Sequence, residues 1–167
     1  MKTKFANAIT RTVNATDSVF SFREIGNGRG TPLIFLNCLT GDFEDWDPAF
    51  IDGLAAQHRV IIFDNHSVGG LTRAASSNIP DMARDAINFI GALGFKLVDL
   101  VGLSVGAFVA QRIVDERPDI VRRVILAGSI TTSVMRAIAR LPIPINPEAV
   151  GGVPGDDCEY ARDGQSV

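Results

Sequence analysis

Gly102-Leu103-Ser104-Val105-Gly106 is the most informative part of this chain. The pentapeptide follows an apolar run at 97–101 and precedes a helix-like segment at 107–117. In that context the pattern G-x-S-x-G predicts a tight strand-to-helix turn, the nucleophile elbow, which holds its serine exposed. The small glycines let the turn close. Backbone N–H groups at the start of the helix would face a developing oxyanion.

A serine hydroxyl is a weak nucleophile and needs a base, usually a histidine. The 167 residues include two histidines, His58 and His66, and both precede Ser104. His66 is predicted to lie on a loop at the C-terminal end of a parallel strand, the edge of such a sheet where sites gather. It is therefore the candidate replacement base, with a solvated loop histidine as the alternative. His58 precedes a strand at the opposite edge and is expected to be structural or exposed.

The composition is that of a single globular domain, with 46% hydrophobic and 21% charged residues. A net charge of −3 does not suggest a nucleic-acid partner. The two cysteines, Cys38 and Cys158, lack metal-ligand spacing. No run approaches the ~18 apolar residues of a membrane span, and residues 1–12 lack the apolar core of a secretory signal. We expect a cytoplasmic protein with no metal and no cofactor.

Apolar runs alternate with helical patterns along the chain. Strands are predicted within 13–25 and at 32–36, 60–63, 97–101 and 124–127. A helix after Asp47-Pro48 would bury Phe50, Ile51, Leu54 and Ala55, and a second would start at Pro80. This alternation predicts the α/β class, with a mostly parallel sheet and helices on both faces.

The pattern weakens after Gly128. A short helix is predicted over 133–141, and the prolines at 142, 144 and 147 cannot continue it. We therefore expect a core at 1–130 and an irregular tail at 131–167. The tail has the character of a premature end or a shifted reading frame.

These residues together resemble the α/β-hydrolase superfamily, in its esterase- and haloperoxidase-like branch. The resemblance covers roughly residues 20–129 and rests on motifs in the family's order: 32–41, Trp46-Asp47-Pro48, 58–65, 79–94, 98–106 and 117–128. It implies an incomplete α/β-hydrolase fold, truncated after the sixth strand. The family places its acid and its histidine after the serine, and no histidine follows Ser104 here.

The resemblance also implies roles for individual residues. Ser104 matches the nucleophile, with Gly102 and Gly106 as the elbow glycines, and the N–H of Val105 matches one oxyanion donor. The second donor follows a His-Gly pair in the family. Here that pair is Asn37-Cys38, so the matching donor is the N–H of Leu39.

The family's D-x-R-G-x-G-x-S loop also differs in this chain. It stands as Asp64-Asn65-His66-Ser67-Val68-Gly69-Gly70-Leu71, with His66 in place of arginine. In the family pattern Asp64 shapes this loop.

Two functions follow as expectations. The first is a serine hydrolase of esterase type acting on a small-molecule ester or related acyl bond, impaired because the triad histidine and acid are missing. The second is a non-catalytic truncated remnant or binding module of the same fold. A sheet that ends at its sixth strand leaves an uncovered edge, which predicts self-association.

Overall fold

Six strands form a single sheet in the part of the chain that the computed structural model describes, residues 4–16, 18–37, 43–67 and 78–128. In chain order they are β1 (Thr10–Ala15), β2 (Ser18–Ile25), β3 (Leu33–Leu36), β4 (Val60–Ser67), β5 (Val98–Leu103) and β6 (Val121–Ala127). Their order across the sheet is β1-β2-β4-β3-β5-β6. The pairs β4-β3, β3-β5 and β5-β6 are parallel, and β1-β2 and β2-β4 are antiparallel. The predicted α/β class with a mostly parallel sheet is confirmed.

Three helices connect these strands: α1 (Pro48–Ala55), α2 (Ile79–Ala92) and α3 (Val105–Glu116). The side chain of Asp47 accepts the Ala49 N–H at 2.9 Å and caps α1, whose first residue is proline. Asn78 caps α2 in the same way. None of the described helices is long and apolar enough to cross a membrane.

The core occupies both faces of the sheet because successive strand residues point to opposite sides. All four residues of β3 are buried. Ile34 and Leu36 belong to the cluster formed with α2 and α3, whereas Leu33 and Phe35 belong to the cluster formed with α1. Helices therefore cover both faces, as the sequence predicts.

Phe50 corrects the predicted burial of α1. Its side chain is 49% exposed, while Ile51 and Ala55 are buried. Residues four apart share one helix face, and Phe50 is displaced from that face by about 100°.

The tail predicted at 131–167, with its short helix, lies outside the described residues. So do Cys38 and Leu39. The described residues all belong to one compact unit, Met1–Thr131.

Candidate active site

Ser104 lies where β5 ends and α3 begins. The parallel strands β3, β4 and β5 share one edge at their C-terminal ends, so Asn37, which follows β3, and the last residues of β4 lie at the same edge. Sites on open parallel sheets form at this edge. The sequence pattern and the topology therefore agree on the location of the candidate site.

The backbone of Ser104 holds an uncommon conformation, with φ 52° and ψ −116°. Its N–H donates to the carbonyl of Ala127 at 2.9 Å, and its carbonyl accepts the Ala107 N–H at 3.0 Å. Non-glycine residues rarely adopt positive φ, and such strain persists only where the surroundings enforce it. The two hydrogen bonds fix the turn from β6 on one side and from α3 on the other, and the residue is exposed.

The two glycines of the pentapeptide stand where no side chain fits. A Cβ on Gly102 would lie 2.6 Å from the Cα of Ala107. A Cβ on Gly106 would lie 2.0 Å from the carbonyl oxygen of Leu36 and 2.7 Å from that of Asn37. The turn closes tightly because both residues are glycine, and its second glycine lies directly against the end of β3.

The first turn of α3 presents backbone N–H groups next to Ser104. Val105 is the first residue of this twelve-residue helix, and the Ser104 side chain makes no capping hydrogen bond to it. The first N–H groups of a helix have no partner within the helix, and its dipole favours negative charge there. The described part of the elbow therefore pairs an exposed hydroxyl with an electropositive helix start.

Asn37 is a buried polar residue beside the elbow, with 2% of its surface exposed. Its Nδ2 donates to the carbonyl of Phe63 at 3.0 Å, and its Oδ1 accepts the indole Nε1–H of Trp46 at 2.6 Å. The amide therefore connects the end of β3 to β4 and to the segment that leads into α1. From the sequence, Asn37 is only the substitute for the family's histidine, and these contacts cannot be predicted there.

Asp64 lies near the end of β4, where its carboxylate accepts the backbone N–H of Phe43 at 3.0 Å. Arg23 on β2 holds the same segment, because its guanidinium lies 4.3 Å from the centre of the Phe43 ring and donates to Glu44 at 2.6 Å. The turn at Phe43–Asp45 is thus tied to two strands.

His66 lies within β4 and not on a loop, which corrects the sequence-based placement. The strand was predicted to end near Asp64, but it runs to Ser67, which pairs with Phe20 on β2 across a register irregularity. Antiparallel pairing with β2 extends the strand beyond its apolar part. The backbone of His66 belongs to the C-terminal part of β4, and its side chain lies outside the described set.

The other predictions from the sequence concern His58, the second oxyanion donor and the lack of a metal site. His58 is exposed and precedes β4, at the opposite end of that strand from the elbow. Leu39 lies outside the described residues, so the second oxyanion donor stays a prediction. Within the described ranges, no group of three histidine, cysteine or carboxylate side chains is placed to hold a metal ion.

An ion pair between a buried carboxylate and an exposed guanidinium lies away from this edge. Asp99, near the start of β5, accepts two hydrogen bonds from Arg122 of β6, at 2.9 and 2.5 Å. These hydrogen bonds raise the pKa of the Arg122 guanidinium above its ordinary value. In the sequence, an acidic residue inside an apolar run is the signal for such a pair. The pair joins β5 to β6.

Comparison with known proteins identifies the fold independently. The Mycobacterium tuberculosis (strain ATCC 25618 / H37Rv) protein named "Putative non-heme bromoperoxidase BpoC" is 33% identical over 104 residues, which cover 62% of this chain and 40% of that protein. The alpha/beta hydrolase fold protein from Chitinophaga pinensis is 30% identical, with a TM-score of 0.72, and the match covers 84% of this chain and 55% of that one. Esterase RhEst1 from Rhodococcus sp. ECU1013 is 27% identical, with a TM-score of 0.61, over 73% of this chain and 46% of the esterase.

This chain spans about 40% of the length of the curated relative named above. The family description "alpha/beta hydrolase fold" matches residues 31–157, which is most of the chain. The elbow, the strand order and these similarities agree, and the chain belongs to the alpha/beta hydrolase fold family.

Proposed function

We propose that this protein is a serine hydrolase of esterase type that acts on a small-molecule ester or related acyl bond. Ser104 Oγ attacks the carbonyl carbon, and the alcohol leaves to give an acyl-serine that water then hydrolyses. The N–H groups of Val105 and Leu39 hold the oxyanion that forms at each step.

The conformation of Ser104 carries this proposal. An exposed serine with φ 52° stands at the first turn of a twelve-residue helix, between two glycines that admit no side chain. A strained residue at a strand-to-helix turn has no evident structural benefit, since a glycine would take the same conformation at lower cost. Strain of this kind is characteristic of functional sites, and the hydroxyl is what a glycine would lack.

The reaction also needs a group that accepts the Ser104 proton. His66 is the candidate within this chain because its strand ends at the same edge of the sheet as β5. The alternative source is an imidazole on another chain.

The names of the similar proteins span different reactions, a bromoperoxidase and an esterase among them. We choose ester chemistry because an exposed serine hydroxyl beside the first N–H groups of a helix supports acyl transfer, which needs a nucleophile and oxyanion donors. The cytoplasmic location and the lack of a nucleic-acid partner stay predictions from composition and charge.

A second candidate is a non-catalytic binding module of the same fold. One observation favours it: both histidines precede Ser104, and His58 lies at the far end of β4. Loss of the base leaves only the residual rate that the oxyanion hole and binding supply, which is orders of magnitude below that of a complete triad.

Covalent labelling with a fluorophosphonate probe distinguishes the two candidates. We expect the purified protein to be labelled, Ser104→Ala to be unlabelled, and Ser18→Ala, a serine at the start of β2, to be labelled like the parent. If folded parent protein and Ser104→Ala give the same signal, the serine-hydrolase proposal is wrong and the binding module stands. His66→Ala then tests the base, with an expected loss of about a hundredfold in rate.

A further inference from the structure

The side chain of Asn37 joins three separate parts of the chain. Both ends of its buried amide are bonded, Oδ1 to the Trp46 indole at 2.6 Å and Nδ2 to the Phe63 carbonyl at 3.0 Å. The partners lie 9 and 26 residues away along the sequence. We call this Trp46–Asn37–Phe63 connection the amide bridge.

The backbone at the same position supports the elbow. A Cβ on Gly106 would come within 2.0 Å of the Leu36 carbonyl oxygen and 2.7 Å of the Asn37 carbonyl oxygen. The chain at Gly106 is therefore in close contact with the last residues of β3. A shift of Asn37 by a few tenths of an ångström has to be accommodated by the turn that presents Ser104, because packed interiors contain little free space.

The segment that supplies Trp46 is itself fixed. Phe43 donates its N–H to Asp64 at 3.0 Å, and Arg23 stacks on the Phe43 ring. Trp46 is 8% exposed and meets Phe35 edge-on, with ring centres 4.8 Å apart. The indole N–H is thus a rigid donor, and it constrains Asn37 more than a mobile side chain would.

We propose that Asn37 is a positioning residue for the nucleophile. The amide bridge holds the end of β3 against Gly106. It thereby fixes the position of the Ser104 hydroxyl relative to the Val105 N–H. This inference rests on the proposed function. Oxyanion stabilisation depends on donors that are already in place, and a displacement of about 1 Å can cost about a hundredfold in rate.

The test measures the rate of phosphonylation of Ser104 in three variants. Asn37→Leu removes both side-chain hydrogen bonds with a side chain of the same branched shape, and Trp46→Phe removes the indole donor together with part of the ring volume. Both are expected to react about ten- to a hundredfold more slowly than the parent. Ile120→Ala serves as the control for lost stability and is expected to keep the parent rate, because Ile120 is a core residue next to the start of β6, at the opposite end of the sheet from the elbow.

Trp46 is the single tryptophan of the chain, so its fluorescence reports on the bridge without any activity. In Asn37→Leu, acrylamide should quench this fluorescence more strongly than in the parent or in Ile120→Ala. Unchanged quenching would mean that the bridge does not hold Trp46, and the inference would fail.

The labelling outcomes separate this inference from the proposed function. If the parent is labelled at Ser104 and Asn37→Leu reacts at the same rate, Asn37 has no positioning role while the proposed function stands. If the parent is not labelled at Ser104, the proposed function fails and the inference fails with it. Slow labelling of Asn37→Leu and Trp46→Phe, but not of Ile120→Ala, supports both the proposed function and the positioning role.

Discussion

Ser104 is the serine of the G-x-S-x-G motif, has an uncommon backbone conformation and is the residue proposed to attack the substrate. Its positive φ of 52° carries a strain of about 1–3 kcal/mol, which the surrounding structure has to offset. The bonds to Ala127 and from Ala107 provide part of that support. Because the Ala127 carbonyl belongs to β6, this strand helps to hold Ser104.

Gly106 packs against the end of β3, so a larger residue at this position should destabilise the protein. In Gly106→Ala the new methyl group would lie 2.0 Å from the Leu36 carbonyl oxygen, a contact that backbone atoms must move to relieve. We expect the free energy of unfolding to fall by about 3 kcal/mol or more, as measured by urea denaturation.

Gly91 on α2 is the matched control. A Cβ at Gly91 meets no atom within 4 Å, so Gly91→Ala is expected to raise the free energy of unfolding by about 0.5–1 kcal/mol. A similar loss in both variants would refute the specific contact at Gly106.

At the scale of elements, α2 shows how a helix start is fixed by one side chain. The Oδ1 of Asn78 accepts the backbone N–H of Asp81 at 2.9 Å. In Asn78→Ala this N–H loses its partner, and we expect the free energy of unfolding to fall by about 1 kcal/mol in urea denaturation.

Asn78→Ser is the control for this cap, because a serine hydroxyl accepts the same N–H. It should stay within about 0.5 kcal/mol of the parent. If serine and alanine destabilise the protein equally, the cap hydrogen bond contributes nothing and another property of Asn78 is responsible.

The sequence predicts the helix α2 but not the full length of the strand β6. Met82, Ala86 and Ile90 stand at helical intervals after Pro80, a spacing that indicates a helix with one apolar face, and all three are buried in α2. The start of β6 was missed because Arg122 and Arg123 interrupt its apolar pattern. An edge strand buries fewer residues than a central one, so polar residues at its ends obscure its length. The acidic residue Asp99 within an apolar run indicates a polar partner, but only the strand pairing identifies that partner as Arg122.

For the whole molecule, local pattern predicted the elbow but not its surroundings. The G-x-S-x-G motif lies within five consecutive residues, so a strand-to-helix turn at Ser104 could be predicted directly. The amide bridge instead depends on Phe63, which is 26 residues from Asn37 and is brought to it by strand pairing. Long-range contacts of this kind follow from the topology and cannot be read from neighbouring residues.

β6 lies at one edge of the described sheet. Among the described strands, β6 pairs only with β5, and Ile125 on it is 58% exposed. An open strand edge beside an exposed apolar side chain favours pairing with another chain. We expect the protein to self-associate in a concentration-dependent way, as measured by sizing chromatography with light scattering.

Ile125→Lys should weaken this association by about tenfold, since a charge at an edge opposes pairing. Ile9→Lys, at a residue that is 76% exposed and precedes β1, should leave it unchanged. A sharp monomer peak for the parent at high concentration would contradict association, and equal effects of the two lysines would show that β6 is not the surface responsible.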